Sequence, residues 1–389
     1  MQKLLFHLSL LSEEQQKDFQ YFVQSPYFNR RKDLSLLLTL LQEEKTAARG
    51  ETGIYEVWKG KRVFDQNIIR KAFSALNALL HQFLGQEMYR IKPELRLQHQ
   101  LEGLNDISAH QYFAGFYQKG ERILGNSLLQ DRSFHIRANI IDAHTTYLNF
   151  QAERGYVPNF DQATHLIDQD FLLRRLKYAL AQQSHSQSLH AQSIQSLSIA
   201  PLLRELRERP EDWHPMLHAY DRLMRLYQGE DAARHYPALK ELILHQLDDV
   251  FDAEVREIMT ASINFAAARM RSGEQQYVDE FEGLYQIMID RKLLWYNGII
   301  FTWHVKNLVG YYLNKRNFDW VKNFLADNSQ YFIPAQRQQL EHYCHGLIFY
   351  FQQSYKQANH EFEQLLTRFD DVFYGLDIRV AKARLLYET

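Results

Sequence analysis

The sequence predicts an all-α chain, an α-solenoid of helical hairpins behind a small N-terminal helical bundle, and three observations carry that prediction. The first is a repeated unit: Val309, Tyr312, Phe318, Val321 and Leu325 are matched, each 37 residues on, by Gly346, Phe349, Tyr355, Ala358 and Phe362. The second is composition. Only 8 Pro and 16 Gly interrupt 389 residues, and Leu, Gln, Glu and Arg abound, unbranched side chains that lose little rotamer freedom in a helix. The third is periodicity: apolar residues recur at helical spacing throughout, and no alternating run bounded by Gly or Asn turns reads as a strand.

A fixed offset of this size marks stacked hairpins, because one amphipathic pair cannot bury its apolar face alone and needs a neighbour. Val309, Gly346 and, 37 further, Ala383 are slim, and Tyr312 and Phe349 follow three residues later, so a large ring sits beside each close approach. Polar turns fall at 314–317 and 352–354. The clearest hairpins are predicted over 298–332 and 335–370, with an incomplete last repeat at 376–389. A fainter unit lies upstream, with helices over 261–270 and 277–289 around a turn at Gly273; its Tyr277 precedes Phe318 by 41.

Gly346, Phe349, Ala358 and Phe362 resemble the tetratricopeptide repeat, whose pattern is a small residue, an aromatic, then Ala and Phe on the second helix. The 37-residue spacing is longer than that family's 34. The resemblance implies a groove lined by first helices, which on this chain carry Trp303, Lys306, Gly310 and Asn314, then Tyr343, Leu347 and Tyr350, then Asp377, Arg384 and Tyr387. It further implies a protein or peptide partner, since Trp, Tyr and Arg are common interface anchors. Lys306 matches a lysine of the family's carboxylate clamp, but Gly310 stands where that clamp needs Asn. The same side chains would also suit packing inside a tightly wound solenoid.

The N-terminal bundle is assigned to residues 1–95. After the apolar run at 4–11, Ser12, Glu13, Glu14 and Gln15 form a capping signature, followed by a stripe of Phe19, Phe22 and Val23 that Ser25-Pro26 ends. Asn29 is placed to cap a helix over 31–44, and 46–53 reads as a loop. Asp65 caps a helix bearing Ile69, Ala72, Phe73, Leu76, Leu80 and Phe83, which Gly85 ends. The run S-P-Y-F-N at 25–29 resembles the opening of a group of bacterial helical proteins that end in tetratricopeptide-like helices; that resemblance implies fold and no activity.

The polar stretch 94–108 reads as a boundary, and 109–389 as the helical-repeat region. Helices are expected over 109–124, 133–154 and 161–183. The run 182–198, rich in Ser, Gln and His, reads as a helix interrupted near Ser184. Pro201, Pro210, Pro215 and Pro237 punctuate the next helices, Pro215 and Pro237 from first-turn positions. Because the last unit has one helix, the chain is expected to be a piece of a longer protein or to bury that helix against another chain, self-association included; Val380, Ala383, Leu386 and Tyr387 are the residues to be covered.

Composition narrows the function. Net charge is −2, so no global field draws in nucleic acid or acidic lipid. Residues 1–100 hold 15 Lys and Arg against 11 Asp and Glu, leaving 30 against 36 for the rest. One cysteine, Cys344, allows no internal disulfide and fits a reducing cytoplasm. The most apolar long window, 293–313, carries Asn297, His304, Lys306 and Asn307, too many polar groups for a membrane span.

Three constellations bear on chemistry. His214 and His218 stand four apart, a zinc-compatible spacing, but no H-E-x-x-H or Cys pair accompanies them. His342, Cys344 and His345 cluster on the first helix of the best repeat, where adjacent positions point apart and packing explains the thiol better than nucleophilic catalysis. Arg30, Arg31, Lys32, Lys59, Lys61, Arg62, Arg70 and Lys71, interleaved with Tyr27, Phe28, Trp58 and Phe64, offer a basic and aromatic face, diluted by Glu43, Glu44, Glu56 and Asp65. No P-loop, dinucleotide, serine-elbow or zinc signature occurs. The expectation is a non-enzymatic cytoplasmic interaction scaffold without cofactor or metal. A nucleic-acid-associated regulator using the N-terminal face, and an enzyme with a buried polar cluster, are the alternatives.

Overall fold

The computed structural model describes residues 1–43, 48–60, 62–126, 133–151, 160–189, 199–245, 252–365 and 372–388. Among these residues there are nineteen α-helices and no strand; the only β pairing is two isolated bridges, Tyr296 with Ile299 and Ile300 with Phe332. The chain divides into two compact units, the described residues up to 167 and those from 168 onward. The division falls within one helix, Phe160–Leu189, past the boundary expected in the polar stretch 94–108.

In the first unit, α1 (Gln2–Ser9), α2 (Glu13–Gln24), α3 (Asp33–Gln42), α4 (Gly50–Lys59) and α5 (Gln66–Arg90) share one core running from Leu4 to Phe83. Helix α2 starts at a complete capping box: the Gln15 N–H donates to Ser12 Oγ at 3.2 Å and the Ser12 N–H to Gln15 Oε1 at 3.0 Å. Asp65 caps α5 by accepting from the Asn67 and Ile68 N–H groups. The helix does not stop at Gly85; it continues to Arg90, since one glycine costs a helix only about 1 kcal/mol. Residues 50–53, expected in a loop, are helical, while 44–47 lie outside the described residues.

Asn29 does not cap α3, which starts four residues later. Its buried amide folds the S-P-Y-F-N turn, donating to the Val23 and Arg31 carbonyls and accepting from the Arg31 N–H, each at 2.8–2.9 Å. The stretch 94–108 is mostly helix: α6 (Pro93–Asp106) opens on a first-turn proline and buries Leu97 and Leu101 against α7 (His110–Asn126) and α8 (Ser133–Phe150). Polar residues misdirect the sequence reading here because Glu94 and Gln98 are themselves buried.

The second unit contains the rest of α9 (Phe160–Leu189), which runs through Ser184 without interruption, and α10 (Ala200–Glu208). Four hairpins follow: α11 (Pro215–Tyr227) with α12 (Ala232–His245), α13 (Asp252–Arg271) with α14 (Gln276–Asp290), α15 (Thr302–Asn314) with α16 (Phe318–Asn328), and α17 (Arg337–Phe351) with α18 (Tyr355–Glu363). Then comes α19 (Val372–Glu388). Pro215 opens α11, but Pro237 lies inside α12 rather than in its first turn.

All four hairpins turn in the same way. One residue takes a left-handed conformation, Gly229, Gly273, Arg316 or Gln353, with φ of 81°, 93°, 58° and 62°. The next N–H reaches back five residues: Glu230 to the Arg225 carbonyl (2.9 Å), Glu274 to Arg269 (3.1 Å), Asn317 to Tyr312 (2.9 Å), and Ser354 to Phe349 (2.9 Å). This is a Schellman closure, satisfying carbonyls that the end of the first helix leaves open.

Packing between hairpins follows chain order. Tyr236 of α12 meets Phe265 of α13 and Tyr277 of α14 with ring centroids 6.0 and 5.3 Å apart. Phe281 of α14 meets Tyr311 of α15 at 5.1 Å, and α15 lies along α17. Of the repeat positions, Val309, Val321, Leu325, Gly346, Ala358 and Phe362 are buried. In α19, by contrast, Ile378, Ala381 and Leu385 are buried, and Val380 and Ala383 are exposed. The small buried residue there is Ala381, 35 after Gly346, so the 37-residue register does not extend to the last helix.

Candidate functional site

On α15, Trp303, Lys306, Gly310 and Asn314 form the open stripe opposite the buried Val305, Leu308, Val309 and Tyr312. Trp303 is 36 % exposed. Asn314 is exposed, and its Nδ2 donates to the Gly310 carbonyl at 2.7 Å. Lys306 forms an ion pair with Asp377 of α19.

The structure brings Lys306, Tyr343 and Asp377 together, but Tyr343 is 4 % exposed and packs as core. Burial and then the Asp377 carboxylate push its phenol well above the ordinary value. Leu347 and Tyr350 are half-buried, Tyr350 lying against the rings of Phe351 and Tyr355, and Arg384 is exposed. The side chain of Tyr387 lies outside the described residues. The first-helix face is therefore open at Trp303 to Asn314 and filled at Tyr343.

Sequence reasoning named Trp303 but missed the two aromatic residues beside it. Tyr296, Phe301 and Trp303 form a shelf of near-parallel rings, with centroids 5.7 and 6.0 Å apart and interplanar angles of 25° and 12°. Tyr296 is 43 % exposed. A two-residue turn aims it: Asn297 and Gly298 both have positive φ, and Tyr296 and Ile299 exchange both backbone hydrogen bonds at 2.8 and 3.0 Å. The Ile300 N–H then donates to the Tyr331 carbonyl at 2.8 Å, tying the start of α15 to the segment after α16. The readable signal was the Asn-Gly pair between aromatic and apolar residues.

Against Trp303 lies a polar trio, buried at Tyr285 and His304 and half-buried at Asn307. Asn307 Nδ2 donates to the Tyr285 hydroxyl at 3.2 Å, leaving that hydroxyl's proton for His304 Nδ1 at 3.1 Å. Burial, and then the Arg256 charge, push the His304 imidazole down to about 3, so it is neutral at pH 7 and able to accept. The Trp303 and His304 ring centroids lie 3.6 Å apart. Arg256 donates to the Leu293 carbonyl at 2.7 Å and lies over the Tyr296 ring. The arrangement fixes the shelf's orientation.

Two cations of the N-terminal basic face, Arg31 and Lys59, are held by one carboxylate. Asp33 pairs with Arg31 (3.1 Å) and Lys59 (2.8 Å); despite burial, these two partners hold its carboxyl below the usual range. Trp58 is buried and donates to the Asp33 carbonyl, with the Lys59 ammonium over its ring. Phe28 stacks on Phe22. Arg30, Lys32, Arg62, Arg70, Lys71, Tyr27 and Phe64 are exposed, and Lys61 lies outside the described residues.

The other constellations have structural roles. His214 Nδ1 accepts from the Met216 N–H as the cap of α11, and His218 Nε2 meets the Pro210 carbonyl at 2.9 Å, so the two imidazoles serve different partners. Cys344 is fully buried, which pushes its thiol well above the ordinary value; His342 pairs with Glu361 at 2.7 Å and His345 faces solvent. Among the described residues no group of three His, Cys, Asp or Glu side chains could hold a metal ion, and no helix is long and apolar enough to cross a membrane. No known family, no curated protein and no solved structure matches the chain.

Proposed function

We propose that the chain is a non-enzymatic interaction scaffold in the cytoplasm, in which the four hairpins and α19 stack as a tetratricopeptide-like solenoid and the shelf Tyr296–Phe301–Trp303, continued by Gly310 and Asn314, receives a peptide or helix. The observation that carries this reading is the recurrence of one left-handed turn at Gly229, Gly273, Arg316 and Gln353, with contacts running from each hairpin to the next. Repeated units joined mainly to neighbours make an extended surface more readily than a closed catalytic cleft. Rigid aromatic rings backed by a satisfied polar trio supply contact area at little entropic cost, as interface anchors do. The N-terminal nucleic-acid alternative has less support, because Asp33 already engages Arg31 and Lys59 and Trp58 is buried.

The test is selection of binding peptides from a random library on the intact chain, followed by affinity measurement on wild type and on Trp303→Ala. Most selected peptides are expected to weaken at least tenfold on the variant while its far-UV dichroism stays unchanged. Unchanged affinities would place binding elsewhere.

A further inference from the structure

Outside that surface, a cleft of about 530 Å³ opens between α11, α12 and the turn that precedes α11, a volume in the range of small-ligand sites. Its charged groups are arranged in a particular way. Arg222 of α11 lines the cleft, and its one hydrogen bond, from Nη1 at 2.9 Å, goes to Nδ1 of the buried His235. The nearby carboxylate is already taken: Asp221 accepts from Arg207 at 2.6 Å and from Arg225 at 3.1 Å. Among the described residues Arg222 therefore forms no ion pair, and the histidine leaves most of its donor fork available. Burial, and then the charges of Arg225 and Arg222, lower the His235 imidazole below its ordinary value, in keeping with its acceptor role.

The same cleft is lined by two exposed carboxylates, Glu241 of α12 and Glu211 of the turn, neither paired with a cation among the described residues. Arg222 is anchored at His235, and Glu241 lies six residues further along α12, a rise of roughly 9 Å between those two backbone positions. Trp213, Pro210 and Pro215 add apolar surface to the lining.

From a guanidinium without an ion-pair partner and two carboxylates in the lining of one cleft, we propose that the site binds a basic amino-acid residue presenting a free α-carboxylate. Arg222 takes the carboxylate through two parallel N–H···O bonds, and Glu241, aided by Glu211, takes the lysine or arginine side-chain cation. The spacing suits an extended side chain of that length. Its source is either the free amino acid or the C-terminal residue of a peptide.

Calorimetric titration of the intact chain tests this with L-arginine, agmatine, which lacks the carboxylate, and L-norleucine, which lacks the cation. A parallel arm uses acetyl-Gly-Arg with a free carboxylate and as its amide. L-arginine or the free-acid peptide is expected to bind at least tenfold more tightly than its controls, whichever binds naming the source. Arg222→Gln should remove the preference for L-arginine over agmatine, and Glu241→Gln the preference over L-norleucine. Absence of binding by both L-arginine and the free-acid peptide, or equal binding of the controls to the wild-type chain, would overturn the proposal whether or not the variants fold.

Discussion

A Cβ built on Gly346 of α17 would lie 2.5 Å from Cε1 of Phe362 on α18, closer than real Cβ atoms come to anything. The Phe362 ring is fully buried and has nowhere to retreat. Gly346→Ala is therefore expected to destabilise the chain by about 1–3 kcal/mol, the usual range for overpacking. Gly310, one hairpin earlier on α15, meets nothing within 4 Å, so Gly310→Ala should instead stabilise by about 0.5–1 kcal/mol. Urea unfolding of both variants checks the opposed signs.

The shared turn makes a second prediction. Gln353 sits at φ 62° where Gly273 sits at φ 93°, and a side chain in this region costs roughly 1–2 kcal/mol. Gln353→Gly should gain about 0.5 kcal/mol after the glycine's extra unfolded-state entropy is subtracted. Gly273→Ala should lose about 1–2 kcal/mol. Thermal melts of the two variants should move in opposite directions.

His304 titrates near 3 in the fold and near 6.5 in the unfolded chain, so on acidification the unfolded state takes up the proton first. Its contribution is fully present above pH 6.5 and is lost as pH falls from there toward 3, by up to about 1.4 kcal/mol per pH unit. Stability should thus fall about 2 kcal/mol between pH 7 and pH 5 from this group. His235, also lowered, acts in the same direction, so the check is the difference between wild type and His304→Gln. The variant should show a shallower slope over that interval.

In the S-P-Y-F-N turn, Asn29 and Tyr27 should behave oppositely. Asn29→Ala removes a buried amide that makes three backbone hydrogen bonds and is expected to cost about 2–3 kcal/mol. Tyr27 is 86 % exposed, so Tyr27→Ala should stay within about 0.5 kcal/mol of wild type. Chemical denaturation of both separates a folding role for the motif from a surface role.

These cases also mark what could be read in advance. The buried stripes of α2 and α5 and the Ser12 and Asp65 caps follow from periodicity and local chemistry, which depend on residues a few positions apart. What escaped depends on tertiary context. Glu94 and Gln98 look solvated but are buried in α6; Gly85 looks like a stop yet the helix passes through it; the two-residue shift to Ala381 is set by packing in α19. The candidate surface was half legible: Trp303, Lys306 and Asn314 do share an open face, whereas Tyr343 is covered and the Tyr296–Phe301 extension needed a turn to aim it.

The stacked-row architecture is tested most directly by hydrogen exchange, resolved by peptide, on wild type and Gly346→Ala. Hairpins joined mainly to their neighbours should exchange faster in α17 and α18, less so in α15 and α16, and hardly at all in α11 and α12. An equal rise across all four hairpins would mean a single cooperative core and would contradict the stack.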